Sequence, residues 1–576
     1  MRATLALVLF VLSIYVGRLI QLQGVDASAL ATRAFDERST TVALPAHRGD
    51  ITDVNGAVLA TTVDRWNILV DQREVVDYTK RIGGHAVRVG VVGAAADLAP
   101  VLGMDKATLR AALTGTRRGA YVAKGVPVGV WRKVARMMIT GIAGEQDSRR
   151  IYPDGAVGAS LVGFVSRDGR PLAGIEKEYA SFLAGRDGKL QYEMSGDGAR
   201  VAIPTGLENE VEPQPGGNVR LTIDADLQWK AHEALAAEVT KSGAESGSVV
   251  VLDTRTFDIL ALASVPTLDS NDPGAAPAAD RGNRSLLDVF EPGSTSKLIT
   301  ASAAVQEGVA TPATRLRVPN SIHRGGRTFH DSEAHATENL TFAGVLAKSS
   351  NVGSIMVGER ISPQTMYHYL TAFGLGAPTG LGLPESRGIL APVQDWSRSQ
   401  RYTVLFGQGM SLTALQDADV YATIANNGVR LTPRIVAGTT TPDGQFHPTP
   451  TPPSTRVVSA QTAATVRYML ESVVSDEGTA AGAAIPGYRV AGKTGTAQAP
   501  DARCGCYRGY TASFIGMAPA DDPHLVVAVI LQRPVRGHYG SLVAAPVFQQ
   551  VMTYALAHEG IPPTGAQAPV VPVTYP

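Results

Sequence analysis

Glu291-Pro292-Gly293-Ser294-Thr295-Ser296-Lys297-Leu298-Ile299 is the stretch from which the fold of this chain can be read. Pro292 and Gly293 break regular structure, and Leu298, Ile299, Ala301, Ala304 and Val305 then recur at helical spacing. The pattern predicts a helix that opens at Ser294. Residues three apart share a helix face, so the Lys297 amine can reach the Ser294 hydroxyl. A lysine of ordinary pKa, about 10.4, is a poor base at neutral pH, but burial lowers that value by up to roughly 3–5 units. A buried Lys297 can therefore take the serine proton. Alone, S-x-x-K arises by chance and reads as an exposed lysine on a helix surface.

Two further short motifs follow in the same half of the chain. Ser349-Ser350-Asn351 falls between helical patterns at 341–348 and 352–360, which predicts a loop able to aim side chains into a cleft. Lys493-Thr494-Gly495-Thr496 follows Tyr488-Arg489-Val490-Ala491 and is predicted on a strand, where Gly495 permits close approach of a substrate backbone. Residues 487–494 also fit the phosphate-loop pattern G-x-x-x-x-G-K-[ST]. That pattern needs a strand before it and a helix after it, whereas Ile485-Pro486 precedes and Gly495-Thr496 follows, so ATP binding is not expected.

Around these motifs the chain reads as an α/β mixture. Residues 219–223 alternate like a strand, 227–239 like a helix, and 247–252 with 259–262 like a buried hairpin. Helical patterns dominate from 294 to about 423, and strands return at 489–491, 512–517 and 525–531. Upstream, Glu212-Pro213-Gln214-Pro215-Gly216-Gly217 marks a junction, Asn55-Gly56 a hairpin turn, and 174–188 a short amphipathic helix. The expected organisation is a membrane anchor over 1–24, an extended pedestal over 25–215, a catalytic domain over 216–560 and a disordered tail over 561–576. Residues 4–17 are apolar and uncharged between Arg2 and Arg18. That length also suits a signal peptide, with Ala27-Ser28-Ala29 as a cleavage pattern, but a helix continuing through Leu22 with Arg18 snorkelling can cross as an anchor. Both readings put the bulk of the chain outside the cytoplasm.

Composition excludes several classes. Lys+Arg and Asp+Glu are equal at 52 each in 576 residues, so no basic field is present for nucleic acid. The 44% hydrophobic content does not fit a polytopic membrane protein. His323, His330 and His335 lack ligand spacing and read as solvated loop residues, so no metal and no cofactor are expected. Cys504 and Cys506 are the only cysteines. A bridge across one residue and two free thiols outside the cytoplasm are both unusual, and the sequence does not choose between them.

Together, Ser294-x-x-Lys297, Ser349-x-Asn351 and Lys493-Thr494-Gly495 resemble the signature of penicillin-binding proteins and class A β-lactamases. Arg48-Gly49-Asp50-Ile51, Tyr152-Pro153-Asp154-Gly155, Gly174-Ile175-Glu176, Asn283-Arg284, Phe406-Gly407-Gln408-Gly409 and Ala544-Ala545-Pro546-Val547-Phe548 extend the resemblance to class B penicillin-binding proteins over most of the chain. It implies a serine β-lactamase-like transpeptidase domain, with an antiparallel sheet flanked by helices and a helical subdomain, on a dimerisation-type pedestal with one transmembrane helix. By the same resemblance Ser294 is the nucleophile, Lys297 its base, Ser349 a proton relay, and Asn351 a holder of the donor peptide. Lys493, Thr494, Gly495 and Thr496 would bind stem peptides ending in D-Ala-D-Ala, or the β-lactams that mimic them, and backbone N–H groups of Ser294 and Thr496 would form the oxyanion hole. Ser350-Asn351-Val352-Gly353, the Lys493 strand ending in Gln498, and Tyr539-Gly540 with Ile561-Pro562-Pro563 most resemble the cell-division type, which implies a polytopic glycan polymerase and other division proteins as partners at the septum. The elongation type and a non-catalytic scaffold are the alternatives.

Overall fold

The computed structural model describes residues 1–193, 208–501 and 504–576. They group into two compact units: Met1–Gly49, Thr62–Arg149 and Ser181–Gly217 form the first, and Asp50–Thr61, Arg150–Ala180 and Asn218–Pro576 the second. Two segments expected within the pedestal, 50–61 and 150–180, thus group with the second unit. Residues 55–56 form the expected turn there. Gly56 takes φ +91°, and Asp53 Oδ1 accepts from the amides of Asn55 at 2.9 Å and Ala57 at 2.7 Å. Val219 then pairs in parallel with Ile51 beside that turn.

In the first unit, Arg2–Val25 is a 24-residue segment of mean hydropathy 2.2 with no buried residue, long and apolar enough to cross a membrane. The core of this unit gathers Ile68, Val70, Leu98, Leu109 and Leu113. Trp66 stacks on Trp131 at 5.2 Å beside it. Asp105 caps helix Lys106–Leu113 by accepting from the amides of Ala107 and Thr108.

The second unit is built on a five-stranded sheet in the order Ile259–Val265, Ser246–Asp253, Leu525–Gln532, Cys506–Ala518, Ala491–Asp501, every neighbour antiparallel. Its central strands read as unbroken apolar runs, Val249-Val250-Val251-Leu252 and Val526-Val527-Ala528-Val529, because helices cover both faces. Successive residues of one strand show the two faces: the Phe514 ring meets Phe548 of helix Ala545–His558 at 4.7 Å, while Ser513 faces the turn that carries Ser294. Helix Ala225–Ser242 starts at the Asp224 cap and ends at Gly243, φ +68°. Asp224, Asp226 and His558 could group around a metal ion, but Asp224 is already engaged by the Leu227 amide, Asn55 and His558.

Three expectations are corrected. The helix expected over 174–188 is two short ones, Gly174–Glu178 and Ala180–Leu183. The Ser294 helix opens as a 3-10 turn, Gly293–Ser296, and becomes α-helical only at Lys297–Gln306. The tail expected to be disordered over 561–576 is ordered at its end, where Val573 is buried, its carbonyl accepts from the Thr341 amide at 3.0 Å, and the Tyr575 amide donates to the Asn339 carbonyl at 3.1 Å. Backbone pairing of this kind needs no hydrophobic periodicity, so a Pro- and Val-rich stretch gave no sign of it.

Candidate active site

Ser294, Ser349, Asn351, Thr494 and Thr496 line one cleft of ≈1350 Å³ in the second unit. Lys297, Lys493 and Gly495 stand behind its wall, the two lysines almost completely buried. The turn that carries Ser294 is held by backbone geometry. Gly293 takes φ +56°, and its amide donates to the Gly407 carbonyl at 2.9 Å. A Cβ on Gly407 would lie 2.0 Å from the Gly293 carbonyl oxygen, so only glycine lets these segments meet. Thr295 faces inward with its hydroxyl 3.0 Å from the Pro292 carbonyl and 2.8 Å from Asp417 Oδ2, and the Tyr421 hydroxyl donates to the Thr295 carbonyl at 2.9 Å.

Lys297 follows the turn, and its amine donates to the Ser349 carbonyl at 2.5 Å and the Ser349 hydroxyl at 3.3 Å. Burial lowers its pKa to about 7, with the Asp331 charge opposing that fall. Ser349 sits at φ +57° between helices Phe342–Ala347 and Asn351–Gly358. Asn351 is the first residue of the second helix rather than a loop residue, and Ser350 is its cap, accepting from the Gly353 amide at 2.8 Å. The Asn351 side-chain amide donates to the His330 carbonyl at 3.1 Å.

Strand Ala491–Asp501 runs along the turn from the other side. A Cβ on Gly495 would lie 2.2 Å from Ser513 Oγ and 3.0 Å from Thr295 Cγ2, so the strand approaches the turn that carries Ser294 only because residue 495 has no side chain. Thr494 and Thr496 face the cleft, whereas the Lys493 amine donates to the Thr494 hydroxyl at 3.1 Å. Burial and the neighbouring Lys297 hold the Lys493 pKa well below 10.5. No helix follows Lys493, as a phosphate loop would require.

The sequence motifs did not name Asp331. Its Oδ2 accepts from Ser350 Oγ at 2.6 Å and meets His335 Nε2 at 3.0 Å, and its Oδ1 accepts from the Val352 amide at 2.9 Å. His335, expected to be solvated, is therefore bound within the site; burial lowers its pKa, but the Ala336 carbonyl and Asp331 outweigh that and raise it. Glu291 was read only as part of the helix entry. It accepts from the Gly409 amide at 2.9 Å and the Tyr507 hydroxyl at 3.2 Å, and burial raises its pKa. Cys504 and Cys506 are joined in a disulfide, which settles the choice the sequence left open. The pair precedes Tyr507 at the rim of the cleft.

A serine on a tight turn, an amine with lowered pKa behind it, and two hydroxyl groups beside two buried lysines can together carry out acyl transfer from a substrate with a terminal carboxylate. The penicillin binding protein transpeptidase domain matches residues 247–553, and the penicillin-binding protein dimerisation domain matches residues 43–221. The penicillin-binding protein PbpB of Mycolicibacterium smegmatis is 36% identical over 96% of this chain and 89% of its own length. The peptidoglycan D,D-transpeptidase FtsI of Escherichia coli is 34% identical over 96% of this chain and 91% of its own. Among solved structures, penicillin binding protein 3 of Mycobacterium tuberculosis complexed with aztreonam superposes with a TM-score of 0.70 at 33% identity, covering 93% of this chain and all of that one.

Proposed function

The chain belongs to the class B penicillin-binding proteins, and from that premise we propose that it is a peptidoglycan D,D-transpeptidase whose acyl-enzyme forms on Ser294. One observation carries the assignment of residues: Ser294, Ser349, Asn351, Thr494 and Thr496 share a single cleft, with the low-pKa Lys297 behind it.

The neutral amine of Lys297 takes the Ser294 proton as the hydroxyl oxygen attacks the carbonyl of the penultimate D-Ala. The oxyanion that forms is held by the backbone N–H groups of residues 294 and 496, a contribution of about 10²–10³ in rate per donor. The C–N bond then breaks, and Ser349, bound to the Lys297 amine, passes the proton to the departing D-Ala amine. Asn351 holds the donor backbone. The Thr494 and Thr496 hydroxyls take the terminal carboxylate, and the Lys493 amine donates to the Thr494 hydroxyl from behind. An acceptor amine attacks the ester to complete the cross-link, and a β-lactam occupies the same path and leaves a persistent acyl-serine.

Segment Arg2–Val25 supports a single-pass anchor, with the rest of the chain extracytoplasmic. Placement at the division septum beside a polytopic glycan polymerase is part of the same proposal, and it rests on the resemblance of Ser350-Asn351-Val352-Gly353, Gln498 and Tyr539-Gly540 to the cell-division type. Intact-mass analysis after penicillin treatment, followed by peptide mapping, tests the assignment: an adduct on Ser294 that is lost in Ser294→Ala is expected, and an adduct on another residue refutes it. A fluorescent fusion spread along the lateral wall would favour the elongation type.

A further inference from the structure

The Thr295 hydroxyl carries one hydrogen and has two oxygens within reach, the Pro292 carbonyl at 3.0 Å and Asp417 Oδ2 at 2.8 Å. Were both partners acceptors, one contact would lack a hydrogen. Asp417 lies fully buried on helix Ala414–Ala425, and among the described residues its other oxygen, Oδ1, has no partner. An ionised carboxylate buried with at most one shared donor bears a large desolvation cost. A neutral carboxyl resolves the arrangement, because its O–H donates to Thr295 Oγ1 and Thr295 in turn donates to Pro292.

The charged groups on elements packed against this helix are engaged elsewhere. Arg430 pairs with Asp419 at 2.7 Å, Arg284 with Asp280 and Asp288, Glu471 with Arg489, and Arg467 donates to the Ile424 carbonyl. Tyr421, one turn along, turns its hydroxyl to the Thr295 carbonyl. Lys297, two residues beyond Thr295, turns its amine to Ser349. Burial accordingly pushes the Asp417 pKa up to about 7, against a lowering by Thr295.

We propose that Asp417 works as a neutral acid whose O–H donates to Thr295 Oγ1, and that it is a positioning residue for Ser294 whose ionisation loosens the nucleophile turn. The proposal rests on the reading of Ser294 as the nucleophile. Ionisation would draw the Thr295 hydrogen towards Asp417 and away from the Pro292 carbonyl. The bond from Thr295 Oγ1 to that carbonyl closes the turn around Ser294, and Thr295 Cγ2 abuts the place where Gly495 passes.

The test compares acylation by a fluorescent penicillin across pH in the wild type, Asp417→Asn and Asp417→Leu. Asparagine donates from Nδ2 at every pH, so Asp417→Asn should keep the neutral-pH rate within about threefold and lose the alkaline decline expected of the wild type. Asp417→Leu offers no donor and should be slower by about tenfold or more at neutral pH. An infrared difference spectrum between wild type and Asp417→Asn at mildly acidic pH should show a protonated-carboxyl band, a readout that does not need the leucine variant to fold. An alkaline decline that persists in Asp417→Asn, an asparagine variant as slow as the leucine one, or absence of the band overturns the proposal. Peptide mapping separates it from its premise: an adduct away from Ser294 with the band present refutes the nucleophile, and an adduct on Ser294 without the band refutes the acid.

Discussion

Lys297 and Ser349 meet through the lysine amine, 2.5 Å from the serine carbonyl and 3.3 Å from its hydroxyl. Ser349 holds a left-handed φ of +57°, a conformation that costs a non-glycine residue on the order of 1–3 kcal/mol. The cost is met in a loop fixed on both sides, by helix Phe342–Ala347 before it and the Ser350 cap after it. Two motifs that stand 52 residues apart in sequence therefore act on one amine.

That amine sets the first expectation. With a pKa lowered to about 7 by burial, Lys297 is protonated below that pH and cannot accept the serine proton. The rate of acylation by penicillin should fall roughly tenfold per pH unit on the acid side of about 7. Stopped-flow fluorescence with labelled penicillin measures it. A flat profile from about pH 5 to 8 would assign the base to another group.

Asp331 is the charge that opposes the fall of the Lys297 pKa. Asp331→Asn removes the charge and keeps one acceptor, its Oδ1 for the Val352 amide, while its Nδ2 faces Ser350 Oγ as a donor. The acid limb of the same profile should move to lower pH, because the protonated amine loses its anionic neighbour. Asp331→Ala should add a loss of about 1 kcal/mol in melting experiments, as the helix start at Asn351 loses its acceptors. A limb displaced to higher pH in Asp331→Asn would contradict this account.

The motifs were legible because covalent spacing carries them: S-x-x-K needs one helical turn, and Lys493-Thr494-Gly495 needs one strand. The sheet was legible for a similar reason, since strands covered on both faces leave runs such as Val526-Val527-Ala528-Val529. Asp331 and Asp417 were not legible. Each acts through a contact across many residues, 19 from Asp331 to Ser350 and 122 from Asp417 to Thr295, and no local period marks a polar residue for such a contact. The disulfide stayed open because either state of Cys504 and Cys506 breaks an ordinary expectation.

Gly495→Ala should slow acylation by an order of magnitude or more. Its Cβ would meet Ser513 Oγ at 2.2 Å and Thr295 Cγ2 at 3.0 Å, so the strand must move away from the turn that carries Ser294. A shift of about 1 Å in a reacting group can lower a rate by about 10². The strand keeps its pairing with Cys506–Ala518, so circular dichroism should be unchanged. Wild-type acylation in the variant would show that the close approach is not needed.

Residues 570–576 should stabilise the site from behind. The Val573 carbonyl accepts the Thr341 amide at 3.0 Å, and the Thr341 hydroxyl donates to the Pro572 carbonyl at 2.6 Å while also capping helix Phe342–Ala347, whose far end leads to Ser349. Val573 is itself buried, a contribution of about 1.5–3 kcal/mol for an aliphatic side chain. Deletion of 570–576 should lower the melting temperature by a few degrees and slow acylation by penicillin severalfold, through a less rigid approach to Ser349. Val573→Asp should reproduce the melting shift without shortening the chain, since it places an unpaired charge where a methyl pair was packed. A deletion that left both the melting temperature and the acylation rate unchanged would show that this pairing does not contribute to holding the Ser349 segment in place.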